Sequence, residues 1–192
     1  MSHDLAGNSL WGPTSSTSAG RVAGPTVTAS TSLLAATTVD QSYREIQIDG
    51  YISASTGNFF AQLLLGAGGV PSATATDYSS LGTLTYGTAT GVTQWTQPAA
   101  LVGFPYNAPS TLPCRFTISI PGYAESGVQK VAFVECWGGV AGSTTQGAVV
   151  NTVVAFVPTG AITQVQISVR NGSNTFGTAQ NCTGQYTITY LV

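Results

Sequence analysis

From Tyr43 to the C-terminus apolar residues recur at every second position, a period that admits strands and little else. Ile46, Ile48 and Ile52 fall on one side of a strand, and Glu45, Gln47 and Asp49 on the other. Arg115 to Ile120 alternates cleanly and turns Phe116, Ile118 and Ile120 to one face. Ile162 to Val169 does the same with Val165, Ile167 and Val169, and Gln185 to Leu191 with Tyr186, Ile188 and Tyr190. Phe59 to Leu65 is a continuous apolar run. Val128 to Trp137 and Val149 to Val157 are mostly apolar, as central strands are. Leu81 to Tyr86 alternates weakly, and Val92 to Thr96, with Trp95 inside it, is a short strand. Breakers separate these runs: Gly57-Asn58, Gly66 to Gly69, Pro121-Gly122, Gly138-Gly139, Pro158-Thr159-Gly160 and Asn171-Gly172. No stretch of helical period exceeds about two turns. The pattern predicts an all-β fold, an antiparallel β-sandwich of about eight strands over residues 41–192.

The first forty residues differ. Gly12 to Gly20 is small, polar and turn-rich, and Gly24-Pro25 breaks the chain again. Such a segment buries too little apolar area to offset its own ordering entropy. Residues 1–40 are therefore expected to form an extended N-terminal arm. Leu5, Leu10 and Trp11 have no reason to be displayed on an isolated arm, so they are expected to insert into a neighbouring subunit or to fold back on their own domain, with Arg21 in the same anchoring segment. Thr26 to Leu34 reads as a first strand supplied by the arm. Nothing at Met1 to Leu10 has the form of a secretion signal, and no apolar run approaches the roughly 20 residues of a membrane helix.

Charge limits what the chain does. Of 192 residues, five are Lys or Arg, seven are Asp or Glu and one is His, so 6% are charged, against about 25% in an ordinary domain. A surface of Ser, Thr, Asn, Gln and Gly suits a protein packed against copies of itself or other subunits. A net charge of −2 argues against nucleic acid and against an acidic membrane surface.

Catalytic material is scarce for the same reason. The one histidine, His3, sits in the arm, far from the rigid placement a nucleophile–base pair needs. Glycoside hydrolysis needs two carboxylates about 5–9.5 Å apart. Glu45 and Asp49 share a strand face but stand about 13 Å apart along it. Glu125 with Glu135 is the other pair, and Glu135 is expected in a salt bridge with Lys130 or Arg115. No metal cluster is visible; loop carbonyls with Asp77 are the remaining calcium option. Cys114, Cys136 and Cys182 are odd in number without metal spacing and read as buried thiols, with a Cys136–Cys182 bridge left open. No enzyme, cofactor or metal is expected, and a hydrolase survives only as a third choice.

Two long loops, Gly66 to Ser80 and Pro98 to Pro113, carry irregular sequence, and loops of that length tend to be functional or interfacial. The second contains Phe104, Tyr106 and Asn107, which with Trp95 would supply either a subunit interface or an aromatic platform for sugar. The C-terminal half resembles a recurring type of tailed-bacteriophage jelly-roll virion protein. The resemblance rests on Phe116-Thr117-Ile118-Ser119-Ile120-Pro121-Gly122-Tyr123, Lys130 to Val134, Gln164 to Gly172 and Gly184-Gln185-Tyr186-Thr187-Ile188-Thr189-Tyr190-Leu191. It spans about residues 43–192 and leaves the arm unmatched. It implies that the sandwich is jelly-roll-like and that the chain is a non-enzymatic capsid decoration or cement protein in the virion, assembled in the host cytoplasm. Its partners would be its own copies, as a homotrimer, and the major capsid protein or another virion subunit. The alternative is a glycan-binding, receptor-reading head of a tail fibre or tail tip.

Overall fold

A computed structural model of the chain describes residues 20–24, 26–54, 59–86, 89–97, 101–102, 113–139, 147–171, 179 and 181–192. The strands are β1 (Gly20–Ala23), β2 (Val27–Ser30), β3 (Ser32–Thr38), β4 (Glu45–Ala54), β5 (Phe59–Ala67), β6 (Tyr78–Tyr86) and β7 (Ala89–Gln97). They continue with β8 (Leu101–Val102), β9 (Cys114–Pro121), β10 (Lys130–Gly139), β11 (Gly147–Phe156), β12 (Ile162–Asn171) and β13 (Cys182–Leu191). One 3-10 turn at Ala75–Asp77 is the only helical element among the described residues.

Every ladder pairing is antiparallel. The large sheet runs β1-β13-β4-β9-β10-β11-β6-β7, with β2 also on β13, and the small sheet runs β3-β12-β5-β8. Four strands, β1-β13-β4-β9, answer the four of the small sheet. The chain crosses between the sheets from β2 to β3, β3 to β4, β4 to β5, β5 to β6, β7 to β8, β8 to β9, β11 to β12 and β12 to β13. That interleaving of two sheets is the jelly-roll plan. Strands β10, β11, β6 and β7 extend the large sheet beyond β9.

Residues 20–38, which composition groups with the arm, carry three of the strands. The strand expected over Thr26 to Leu34 is two strands. β2 pairs with β13 in the large sheet and β3 with β12 in the small one, so the chain changes sheet at Thr31. The Thr31 carbonyl accepts the Val169 N–H at 3.0 Å, so the crossing leaves that group satisfied. Ile167 pairs with Leu34 and Ser168 with Ser32, which makes Leu33 the extra residue of a bulge. The bulge suspends alternation and lets two consecutive leucines be buried, Leu33 at 1% and Leu34 at 0% exposure. Leu33 packs towards Gly184, where an added Cβ would stand 2.7 Å from a leucine methyl carbon.

Elsewhere the period-two reading holds. Ile46, Ile48, Ile118, Ile120, Val165 and Ile167 are buried. β5 is buried on both faces, Gln62 and Leu64 as well as Leu63 and Leu65. Two tyrosines fasten loops to this core. The Tyr78 hydroxyl accepts the Leu65 N–H at 2.9 Å and donates to the Ser72 carbonyl at 2.8 Å, while its ring lies 5.1 Å from that of Phe156. The Tyr123 hydroxyl donates to the Asp40 carbonyl, and the Tyr123 carbonyl accepts the Ile162 N–H at 2.8 Å. Burial pushes both phenols up to about 12. Gly122 makes the turn before Tyr123 at φ 60°, a left-handed conformation suited to glycine.

Two expected pairings are corrected. Glu135 and Lys130 lie five residues apart on one strand, so they point to opposite faces. Lys130 is buried and its ammonium donates to the Val128 carbonyl at 2.7 Å, while Glu135 is exposed. Among the described residues no ion pair joins Glu135 to Lys130 or Arg115. The Cys136–Cys182 bridge is excluded by topology. β4 and β9 stand between β13 and β10, a separation of about 14 Å at the sheet spacing, where a disulfide needs Cα atoms within about 7 Å. All three thiols are buried and free. Burial and the adjacent Cys114 thiol push the Cys136 thiol well above the usual range.

Candidate functional site

The outer face of the large sheet brings together five large exposed apolar side chains, Leu81, Phe133, Trp137, Val149 and Val153, and two arginines, Arg21 and Arg115. Register aligns them in rows across the strands. In the first row Phe133 of β10 sits between Ser119 of β9 and Val153 of β11, and Val153 faces Leu81 of β6. Two pleat repeats along, Trp137 sits between Arg115 and Val149, Arg115 faces Tyr51 of β4, and Tyr51 faces Gln185 of β13. Between these rows Glu135 lies between Thr117 and Asn151.

The two halves of this face differ in chemistry. Over β10, β11 and β6 it is apolar: Phe133 is 51% exposed, Leu81 54%, Val153 42%, Trp137 40% and Val149 40%. Their neighbours in sequence, Val134, Val150 and Val154, are buried on the inner side. β10 and β11 are thus central in the sheet, as their apolar runs predict, yet open on one face. The open patch is on the order of 400 Å², in the range at which a surface patch marks an interaction site. A shallow concavity of about 510 Å³ lies over it, lined by Leu81, Phe133, Glu135, Asn151 and Val153 among others.

Over β1, β13, β4 and β9 the face is polar and aromatic. A second concavity of about 480 Å³ is lined by Arg21, Asp49, Tyr51, Arg115, Gln185 and Tyr186, and reaches Trp137. The Asp49 carboxylate accepts the Gln47 amide at 2.9 Å and the Thr117 hydroxyl at 2.8 Å. Glu45 accepts the Ser119 hydroxyl at 2.7 Å. Both carboxylates of β4 are therefore held by side chains of their own sheet face. Asp77 accepts the Ser72 hydroxyl at 2.5 Å, inside its loop. Among the described residues no three His, Cys, Asp or Glu side chains group as metal ligands.

Of the residues singled out from the sequence, Arg21 lies on β1, paired with Thr189, at the rim of the polar groove. Trp95 lies in β7, its backbone opposite Gly82, at the other end of the large sheet and about 34 Å from β1 at the sheet spacing. The two do not meet. Leu5, Leu10, Trp11, Phe104, Tyr106 and Asn107 lie outside the described residues. Sequence reasoning missed Phe133, Val153 and Leu81, although the apolar residues at odd positions of β10 and β11 were a usable signal. Tyr51 and Arg115 carried none, because only the pairing of β4 with β9 brings them together.

No family model, no curated protein and no solved structure matches this chain.

Proposed function

We propose that this chain is a non-enzymatic structural protein that works as a homo-oligomer, of the kind that decorates or cements the capsid of a bacteriophage. The observation that carries the reading is the open apolar face on β10, β11 and β6. Strands central to a sheet and apolar on both sides need a cover on both sides. A second copy of the chain fits that need. Five strands, β9, β10, β11, β6 and β7, span about 24 Å across and about 30 Å along. The resulting roughly 700 Å² is close to the 800 Å² or so that each partner contributes to a stable interface. The scarcity of charge supports the same reading, since few charged side chains would have to be desolvated.

The roles of the carboxylates support a structural protein over a hydrolase, because Glu45 and Asp49 are occupied by Ser119, Thr117 and Gln47. In a particle, such an oligomer acts by adding contact area at junctions between coat subunits. The test is a particle lacking this protein, or carrying Phe133→Asp. Either should disrupt at a lower temperature or chelator concentration than the intact particle. Unchanged resistance in both would overturn the proposal.

A further inference from the structure

We infer that the polar groove on β1, β13, β4 and β9 binds an acidic oligosaccharide, a chain of sugar rings bearing carboxylates. The protein has five Lys and Arg, and two of them, Arg21 and Arg115, line this one groove. Both are exposed, and among the described residues neither guanidinium has a hydrogen-bond or ion-pair partner. A guanidinium left without a carboxylate keeps all its donors for a ligand, and its planar fork matches a carboxylate in two parallel hydrogen bonds. Three strand intervals and four residues along separate the two arginines, so their backbones stand about 20 Å apart. That span suits an extended ligand with spaced anionic groups, not a single small anion.

The other lining groups narrow the class. Tyr51 and Trp137 sit directly opposite Arg115 on the two neighbouring strands. A sugar ring presents an apolar C–H face, and a flat aromatic side chain with a polar tip is its natural support. The Gln185 amide supplies donor and acceptor, and the fixed Asp49 carboxylate accepts hydroxyl protons. A polyphosphate offers the aromatic rings no apolar face, and the net charge of −2 disfavours nucleic acid. An acidic peptide would engage the arginines and leave the rings idle. The groove shares its Arg115–Trp137 margin with the face proposed to join copies, and Phe133→Asp, on the row away from that margin, separates the two readings.

The experiment is calorimetric titration of the full chain with three probes: a galacturonate tetramer, the uncharged galactose tetramer and a short poly-glutamate. The galacturonate tetramer should bind about tenfold or more tightly than the galactose tetramer, and binding should weaken as salt is raised. Arg115→Ala and Arg21→Ala should each weaken it by about tenfold, the loss of one charge-assisted contact, and Tyr51→Ala by a similar factor, the loss of the ring support. Arg115→Lys should retain part of the affinity, and it carries the test if the alanine variant fails to fold. Phe133→Asp should bind as the parent does. No binding of galacturonate at millimolar concentration, equal binding of poly-glutamate, or affinity indifferent to both arginines would overturn the assignment.

Discussion

Deletion of the N-terminal segment separates two parts that composition alone merges. Removing residues 1–19 leaves every described strand in place. Removing residues 1–40 takes away β1, β2 and β3, and with them Leu33 and Leu34, at 1% and 0% exposure. Burying one leucine contributes about 1.5–3 kcal/mol, so the pair alone supplies about 3–6 kcal/mol. A domain's whole stability is about 5–15 kcal/mol. The loss is larger still, because β12 would lose its partner on one side and expose the edge along Val165 to Ser168. The deletion to residue 19 should therefore unfold in urea with a cooperative transition near that of the full chain, followed by far-UV circular dichroism. The deletion to residue 40 should lack that transition. Leu34→Ala in the full chain should lower stability by about 2–5 kcal/mol, the usual range for a buried leucine. A deletion to residue 40 that melts at the same urea midpoint as the full chain would refute the reasoning.

Other outcomes follow from buried groups. The Tyr78 and Tyr123 phenols stand at about 12 in the fold and near 10 when unfolded. The folded state therefore holds the proton more tightly, a contribution fully present below pH 10 and lost as pH rises through 12. The unfolding free energy should fall over that window, by an amount on the order of 2 kcal/mol for Tyr78, taking the urea midpoint down with it, and Tyr78→Phe should flatten part of the fall. A midpoint that is level from pH 9 to 12 would contradict this. The three thiols are buried, with Cys182 pushed up to about 11 and Cys136 well above the usual range. They should resist thiol reagents at pH 8 until urea unfolds the chain; rapid labelling of the native protein would show that they are reachable.

The alternation of Ile46, Ile48 and Ile52, of Phe116, Ile118 and Ile120, and of Val165, Ile167 and Val169 made the inner rows legible without coordinates. Alternation reports which side of a strand is apolar, and one sheet needs only one apolar side. Leu33 and Leu34 escaped that logic because a bulge suspends the period at that point. The open face was half legible. Phe133, Trp137, Val149 and Val153 stand out once β10 and β11 are known to be strands, but whether a second apolar side is covered depends on packing. The groove was not legible. Arg21, Tyr51, Arg115 and Gln185 belong to four strands far apart in sequence, and strand order is a property of the whole topology. The short strand read over Val92 to Thr96, with Trp95 inside it, is part of the longer β7, Ala89–Gln97.

The central claim is that copies of this chain join through the apolar face of β10, β11 and β6. Sedimentation velocity at micromolar concentration tests it most directly, on the full chain and on Phe133→Asp. Phe133 is half exposed, so the substitution should leave the circular dichroism spectrum and the urea midpoint nearly unchanged. The account predicts a closed oligomer for the parent chain and a monomer for the variant. A parent chain that sediments as a monomer, or a variant that keeps the parent's oligomeric state, would contradict it.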